Sequence, residues 1–289
     1  MQLRLSGAED RQKRILAVHD ISCIGRCSIT VALPMLSAAG LETSILPTSI
    51  LSTHTGGLSG YTYRDLLEDV DPIADHWKSL GVKFDGIFTG WLGTHKHILK
   101  MHRLLDMFSD GEPRVMIDPV MGDNGRLYAT LDDDYVREMR TYCKRAHLML
   151  PNITEAALLT DTAYPHDGYD RRYIEDMLAR LSDMGADTVV LTGVSLEPGR
   201  IGAAAVKQGG GMVYYDSPFI SGCWHGAGDV FASALLAADV RGKNLEDALS
   251  LAVDFTAQCI RRTCDAGTDE RLGLQFEPEL GRLASLLND

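Results

Sequence analysis

Short apolar runs recur along this chain, and between them lie longer segments in which apolar residues return every three to four positions. The runs fall at residues 15–19, 43–47, 86–89, 115–117, 147–150, 188–191, 203–206 and 212–215, and most are apolar throughout rather than at alternate positions. Segments of helical period fall at 28–39, 63–80, 96–108, 132–145, 153–159, 172–184, 226–240, 244–262 and 277–287. A strand that is apolar on both sides must be covered on both sides, and a helix between successive strands lets them run parallel. The alternation therefore predicts an α/β fold, a central and mostly parallel β-sheet flanked by helices on both faces. Gln208-Gly209-Gly210-Gly211 separates the last two runs at close range, so one hairpin is expected at the sheet edge. No Pro/Ser-rich linker, repeat or low-complexity tract divides the chain, and residues 14–289 read as one domain behind a polar tail of residues 1–13.

Charge narrows the partners. The chain has 28 Lys and Arg against 40 Asp and Glu, a formal net charge of −12. Phosphate backbones and anionic lipids repel such a surface unless a basic stripe rescues it. The densest basic run, Arg11-Gln12-Lys13-Arg14, is too short for that. Neither nucleic acid nor membrane is expected as a partner; no stretch approaches the roughly 18 apolar residues of a membrane helix. The first 14 residues lack the apolar region of a signal peptide. The six cysteines form no C-x-x-C pair and the nine histidines no H-x3-H pair, so no zinc site is expected. Small buried thiols in a reducing cytoplasm are the expectation.

In open α/β sheets ligands bind beyond the carboxyl ends of the strands. The residues there are His19-Asp20, Thr48 to Thr55, Thr89-Gly90-Trp91, Asp118-Pro119, Pro151-Asn152 and Thr192-Gly193. Three segments carry chemistry. Gly226-Ala227-Gly228-Asp229 precedes a helix of small and apolar residues, where free amides and the helix dipole suit an anion. The same glycines also suit a plain helix start. Asp118-Pro119-Val120-Met121-Gly122-Asp123 puts two carboxylates five residues apart in a turn, hard donors suited to Mg²⁺ on a nucleotide or, equally, turn formers. Asn152-Ile153-Thr154-Glu155 matches a capping box, which does not exclude a metal-water contact at Glu155. No Gly-x4-Gly-Lys-Ser/Thr loop is present, which argues against a P-loop nucleoside triphosphatase.

Together with Ser52-Thr53-His54-Thr55-Gly56 and Thr89-Gly90-Trp91-Leu92-Gly93, these segments resemble the ribokinase superfamily and, within it, the pyridoxal/pyridoxamine (vitamin B6) kinases. The resemblance runs from Ile15 to about Gly267. It implies ATP-dependent phosphorylation of a hydroxymethyl group on a pyridine ring, with Mg²⁺, in a homodimer. By position it makes Asp229 the catalytic base and Gly226, Ala227 and Gly228 the anion hole. Asn152, Thr192, Gly193 and Tyr128 would meet the nucleotide. Asp123 and Glu155 would hold Mg²⁺ directly or through water, with Asp118 beside them. Asp20, Thr55 and Trp91 would line the vitamin pocket, with His54 close by. Three departures stand out. The anion hole reads Gly-Ala-Gly where these kinases commonly have Gly-Thr-Gly. Leu150 replaces a frequent Thr, which leaves a monovalent-cation site beside Asp118 unsupported. Asp20 replaces a common Ser, a change that bears on which B6 form is preferred. A hydroxymethylpyrimidine kinase of thiamine synthesis and a non-catalytic binder of a B6 vitamer are the competing readings.

Overall fold

A computed structural model of the chain describes residues 11–166, 168–222 and 224–288. The expected tail over residues 1–10 and Cys223 lie outside the described residues. The strands are β1 (Arg14–Ile24), β2 (Glu42–Thr53), β3 (Tyr63–Asp65), β4 (Gly86–Thr89), β5 (Arg114–Ile117), β6 (Gly122–Asp123), β7 (Arg126–Leu127), β8 (Leu148–Met149), β9 (Thr188–Val194), β10 (Arg200–Lys207) and β11 (Val213–Pro218). Among the described residues nine of them form one sheet in the order β11-β10-β9-β8-β5-β4-β1-β2-β3, while β6 and β7 pair apart. The run from β9 to β2 is parallel. β10 runs antiparallel between β9 and β11, which is the expected edge hairpin.

Side chains on a strand alternate between its faces, and here each face has its own core. Leu16, Val18, Ile87, Ile117, Met149, Val189 and Leu191 enter one cluster. Ile15, Phe88, Met116, Leu148 and Val190 enter the other. Helices α2 (Leu67–Ser79), α3 (His95–Met107), α4 (Asp133–Cys143), α5 (Ile153–Thr160) and α6 (Arg171–Ser182) cover the first cluster. Helices α1 (Ile29–Ala38), α7 (Ala227–Val240), α8 (Leu245–Asp265) and α9 (Leu280–Asn288) cover the second. Burying one Leu, Ile or Phe fully is worth about 1.5–3 kcal/mol, which is why strands with no polar face require both layers. α7 is buried from Val230 to Ala238, so its small residues show no amphipathic stripe.

Two features depart from the sequence reading. The helix expected over 63–80 begins only at Leu67, and Tyr63–Asp65 pairs antiparallel with Ser49–Leu51 as the far edge strand. Asp65 ends that strand and starts the helix, accepting the Leu67 amide at 2.7 Å. β1 and β2 also run 11 and 12 residues, well past the predicted runs. Their extra length mixes polar residues (Asp20, Ser22, Ser49, Ser52) with isolated apolar ones, so no continuous apolar run marks it. A register shift between His19 and Ile21 lets β2 carry Thr48 and Ser49 as an irregularity beside them. Residues 11–13 are tied to the body: Arg11 pairs with Asp85 at 2.6 Å and Lys13 donates to the Val240 carbonyl. No helix of the described residues is long and apolar enough to cross a membrane.

Candidate active site

The extension of β1 carries the first element of the site. Asp20 is buried; one carboxylate oxygen accepts from Ser22 Oγ at 3.0 Å and the other from Ser28 Oγ. Burial pushes this carboxyl above its ordinary range, and the two serine bonds pull it partly back. Ser28 precedes α1 with φ 54° and ψ −125°. A residue with a Cβ seldom adopts that backbone, at a cost of about 1–3 kcal/mol. The Ser28 backbone also hydrogen-bonds Asp229, so one residue touches two carboxylates.

Asp229 stands in the first turn of α7. Gly226, the N-cap, has φ 75°, and a Cβ there would collide with the Arg26 carbonyl oxygen. Glycine is therefore demanded by the turn that brings residues 25–28 against α7. The Ala227 amide donates to the Trp224 carbonyl at 3.2 Å. The amides of Gly228 and Asp229 belong to the helix start, which has no intrahelical acceptors. Gly228 is exposed, with open space where its Cβ would be, so an anion can approach these amides. Half-buried Asp229 is pushed up to about 6 by desolvation and the Asp20 charge, against the Ser28 backbone and the Cys27 thiol. The same surroundings push the Cys27 thiol well above its usual range.

A second group of carboxylates gathers at the end of β5. Glu155, buried at the start of α5, accepts amides from Asn152 at 2.8 Å and Met121 at 3.0 Å. Desolvation and neighbouring Asp123 nevertheless push it up to about 8. Asp118 is pushed well above its usual range by burial and by the charges of Glu155 and Asp229. Glu155 is held by amide donors, whereas among the described residues no hydrogen bond to the Asp118 carboxyl offsets its burial. Burial pushes the Tyr128 hydroxyl up, and the charges of Glu155, Asp123 and Asp118 push it further. Among the described residues no three His, Cys, Asp or Glu side chains form a ready metal cage. Mg²⁺ keeps several waters and takes one or two protein carboxylates together with phosphate oxygens. Mutually repelling carboxylates without a cationic partner fit that mode of binding.

The remaining predicted residues follow the order of the sheet. Asn152 and Thr192 bridge at the ends of β8 and β9, and the Thr192 amide donates to the Pro151 carbonyl at 2.9 Å. The Asn152 side chain is engaged, accepting from Glu155 N and donating to the Gly122 carbonyl, both at 2.9 Å. Gly193 is exposed with φ 72°. Asp118 follows at β5, Trp91 at β4, Asp20 in β1 and His54 after β2. Trp91 is half-buried, and its ring tip and the Tyr63 hydroxyl flank Gly93. Both ring nitrogens of His54 are taken by backbone: the Gly56 amide donates to Nδ1 at 3.1 Å and Nε2 donates to the Arg271 carbonyl. His54 therefore braces its loop, with the His225 ring tilted against it at 5.0 Å, rather than presenting a free nitrogen. Thr55 is exposed beside it.

Five residues beside these were not singled out from sequence: Ser22, Cys27, Ser28, Tyr63 and His225. Tyr63 had a signal, since Tyr61-Thr62-Tyr63 is rich in strand formers ahead of a helix-starting Asp. The others had none, because their importance comes from what the fold brings against them.

The phosphomethylpyrimidine kinase family pattern matches residues 65–272, well over half of the chain. A Bacteroides thetaiotaomicron protein assigned as a phosphomethylpyrimidine kinase, crystallised with pyridoxal, is 36% identical with a TM-score of 0.88, over 94% of this chain and 96% of its own. Pyridoxal kinase from Lactobacillus plantarum is 30% identical with a TM-score of 0.87, over 96% and 98%. The pyridoxine/pyridoxal/pyridoxamine kinase of Bordetella avium is 26% identical over 91% of this chain and 90% of its own. With its ribokinase-like sheet and the carboxylates gathered at the strand ends, the chain belongs to the phosphomethylpyrimidine kinase family.

Proposed function

We propose that the protein transfers the terminal phosphoryl group of ATP to the 5′-hydroxymethyl group of pyridoxal, pyridoxamine or pyridoxine. The observation that carries this reading is the first turn of α7, where a half-buried carboxylate, Asp229, directly follows approachable amides at a glycine-enforced turn. Phosphoryl transfer needs alignment, stabilisation of phosphate charge and an acceptor for the alcohol proton. Asp229 supplies the last. Its carboxyl, pushed up to about 6, is a better base than an ordinary aspartate and is still ionised at neutral pH. The amides of Gly228 and Asp229 face the phosphate, with Gly226 and Ala227 setting their direction. Asn152, Thr192, Gly193 and Tyr128 line the nucleotide half. Asp20, Trp91, Thr55 and the His54 loop line the vitamin half. Asp118, Asp123 and Glu155 would hold Mg²⁺, which when bound screens the charge of the phosphates. The remaining parts of the proposal are a cytoplasmic homodimer and a single domain over residues 14–289, the latter supported by two cores sharing one sheet.

A second reading is phosphorylation of a hydroxymethylpyrimidine. It is favoured by the family match and by the hydroxymethylpyrimidine/phosphomethylpyrimidine kinase of Bacillus subtilis, 25% identical over 76% of this chain. ADP release measured with the three B6 vitamers and the pyrimidine separates the two. Turnover with the vitamers is expected; turnover with the pyrimidine alone would transfer the assignment, and turnover with none would leave a binder.

A further inference from the structure

Asp20 is 5% exposed, and each of its oxygens accepts a serine hydroxyl, one from Ser22 within β1 and one from Ser28 before α1. Among the described residues no Lys or Arg lies within ion-pair distance of it. His54, the basic side chain nearest to it, is tied to backbone, accepting the Gly56 amide at Nδ1 and donating from Nε2 to the Arg271 carbonyl. In the extension of β1, within electrostatic reach of Asp229, the fold thus holds a buried and oriented carboxylate with no Lys or Arg against it. A buried carboxylate without a cation is costly. Tyr63 lies within electrostatic reach of Asp20, and its hydroxyl and the Trp91 ring flank the same point at Gly93. An oriented carboxylate with a tyrosine within electrostatic reach is a setting that favours an ammonium group.

We infer that Asp20 determines substrate choice, and that the cleft prefers the B6 form bearing a protonated amine, pyridoxamine, over the aldehyde, pyridoxal. The inference rests on the kinase reading above and deepens it. The three vitamers differ at one ring substituent. An ammonium there forms a charge-assisted bond with Asp20, stronger than a neutral one. An aldehyde offers only an acceptor to a carboxylate that also only accepts. Ser22 and Ser28 are the positioning residues, since they fix both oxygens before the substrate arrives.

The test is kcat/KM for pyridoxamine, pyridoxine and pyridoxal in the unmutated protein, in Asp20→Asn and in Asp20→Ser, with ATP and Mg²⁺ held constant. The expected preference for pyridoxamine over pyridoxal is about tenfold, or about 1.4 kcal/mol. Both substitutions should bring that ratio close to one. Circular dichroism shows that the variants are folded, and the ratio in the unmutated protein stands without them. Equal efficiency with pyridoxal and pyridoxamine overturns the inference and leaves the kinase reading intact. An unchanged ratio in both folded variants overturns it too, because Asp20 then faces a feature common to all three vitamers. Turnover with none of them overturns the kinase reading itself, and this one with it.

Discussion

Two carboxylates of the candidate site, Asp20 in the extension of β1 and Asp118 just after β5, meet burial in opposite ways. Asp20 receives a hydroxyl on each oxygen and is held in one orientation. Asp118 receives none among the described residues and faces the like charges of Glu155 and Asp229. Both are pushed up by desolvation, but only Asp118 is pushed further by its neighbours. The difference separates two jobs. Under the function proposed above, a carboxylate that would recognise the substrate is oriented in advance, whereas carboxylates that would receive a hydrated cation and its phosphates are left in mutual repulsion.

The largest effect is expected where the two sides are joined. Gly226→Ala puts a Cβ against the Arg26 carbonyl at φ 75°, and should cost about 2–4 kcal/mol of stability while misplacing Asp229. An Ala variant melting with the parent protein would show that the turn is not pinned there.

The next contrast compares charge removal with donor removal. Asp118→Asn relieves repulsion and should raise the melting temperature of the ligand-free protein while abolishing Mg²⁺-dependent turnover. Ser22→Ala takes a donor from Asp20 and should lower stability by about 1 kcal/mol. Changes of the same sign in thermal melts would erase the distinction between the two carboxylates.

A smaller, distributed effect concerns pH. Asp229 at about 6 and Glu155 at about 8 lie above their unfolded values near 4, so the folded state holds more protons between those limits. Their contribution is complete below about pH 4 and is lost as pH rises through 6 and 8. Surface carboxylates such as Asp85 and Asp216 are shifted down and act in the opposite sense, at more acidic pH. The ligand-free protein should therefore melt lower at pH 8 than at pH 5.5, and Mg²⁺ with ATP at pH 8 should recover much of the difference. A melting temperature that climbs steadily over that interval would contradict the shifts.

How much of this could be read from sequence varies along the chain. The parallel sheet was legible because strands such as Ile87–Phe88 and Val189–Val190 are apolar at consecutive positions, which only a sheet covered on both faces explains. The segments holding Asp118, Glu155 and Asp229 were legible because turn and cap chemistry left a local pattern. Tyr63–Asp65 was read as helix because a single turn of strand carries too little periodicity against the long helix behind it. Ser28 was not legible as part of the site: nothing in Cys27-Ser28 announces a backbone at φ 54°, or that one residue will bond two carboxylates from distant segments. His54 was legible as a polar loop residue, but its partner, the Arg271 carbonyl, lies 217 positions away.

The central claim is that Asp229 accepts the proton of the alcohol as the phosphoryl group moves. Single-turnover kinetics of Asp229→Asn with saturating ATP, Mg²⁺ and pyridoxamine, alongside a thermal melt, test it most directly. The chemical step should slow by about 10² to 10⁴ with ATP affinity retained. The ligand-free variant should also be more stable, by about 1–2 kcal/mol after allowance for its partial exposure, because a desolvated charge has gone. A chemical step at the unmutated rate, or activity lost only in proportion to unfolded protein, would contradict the account.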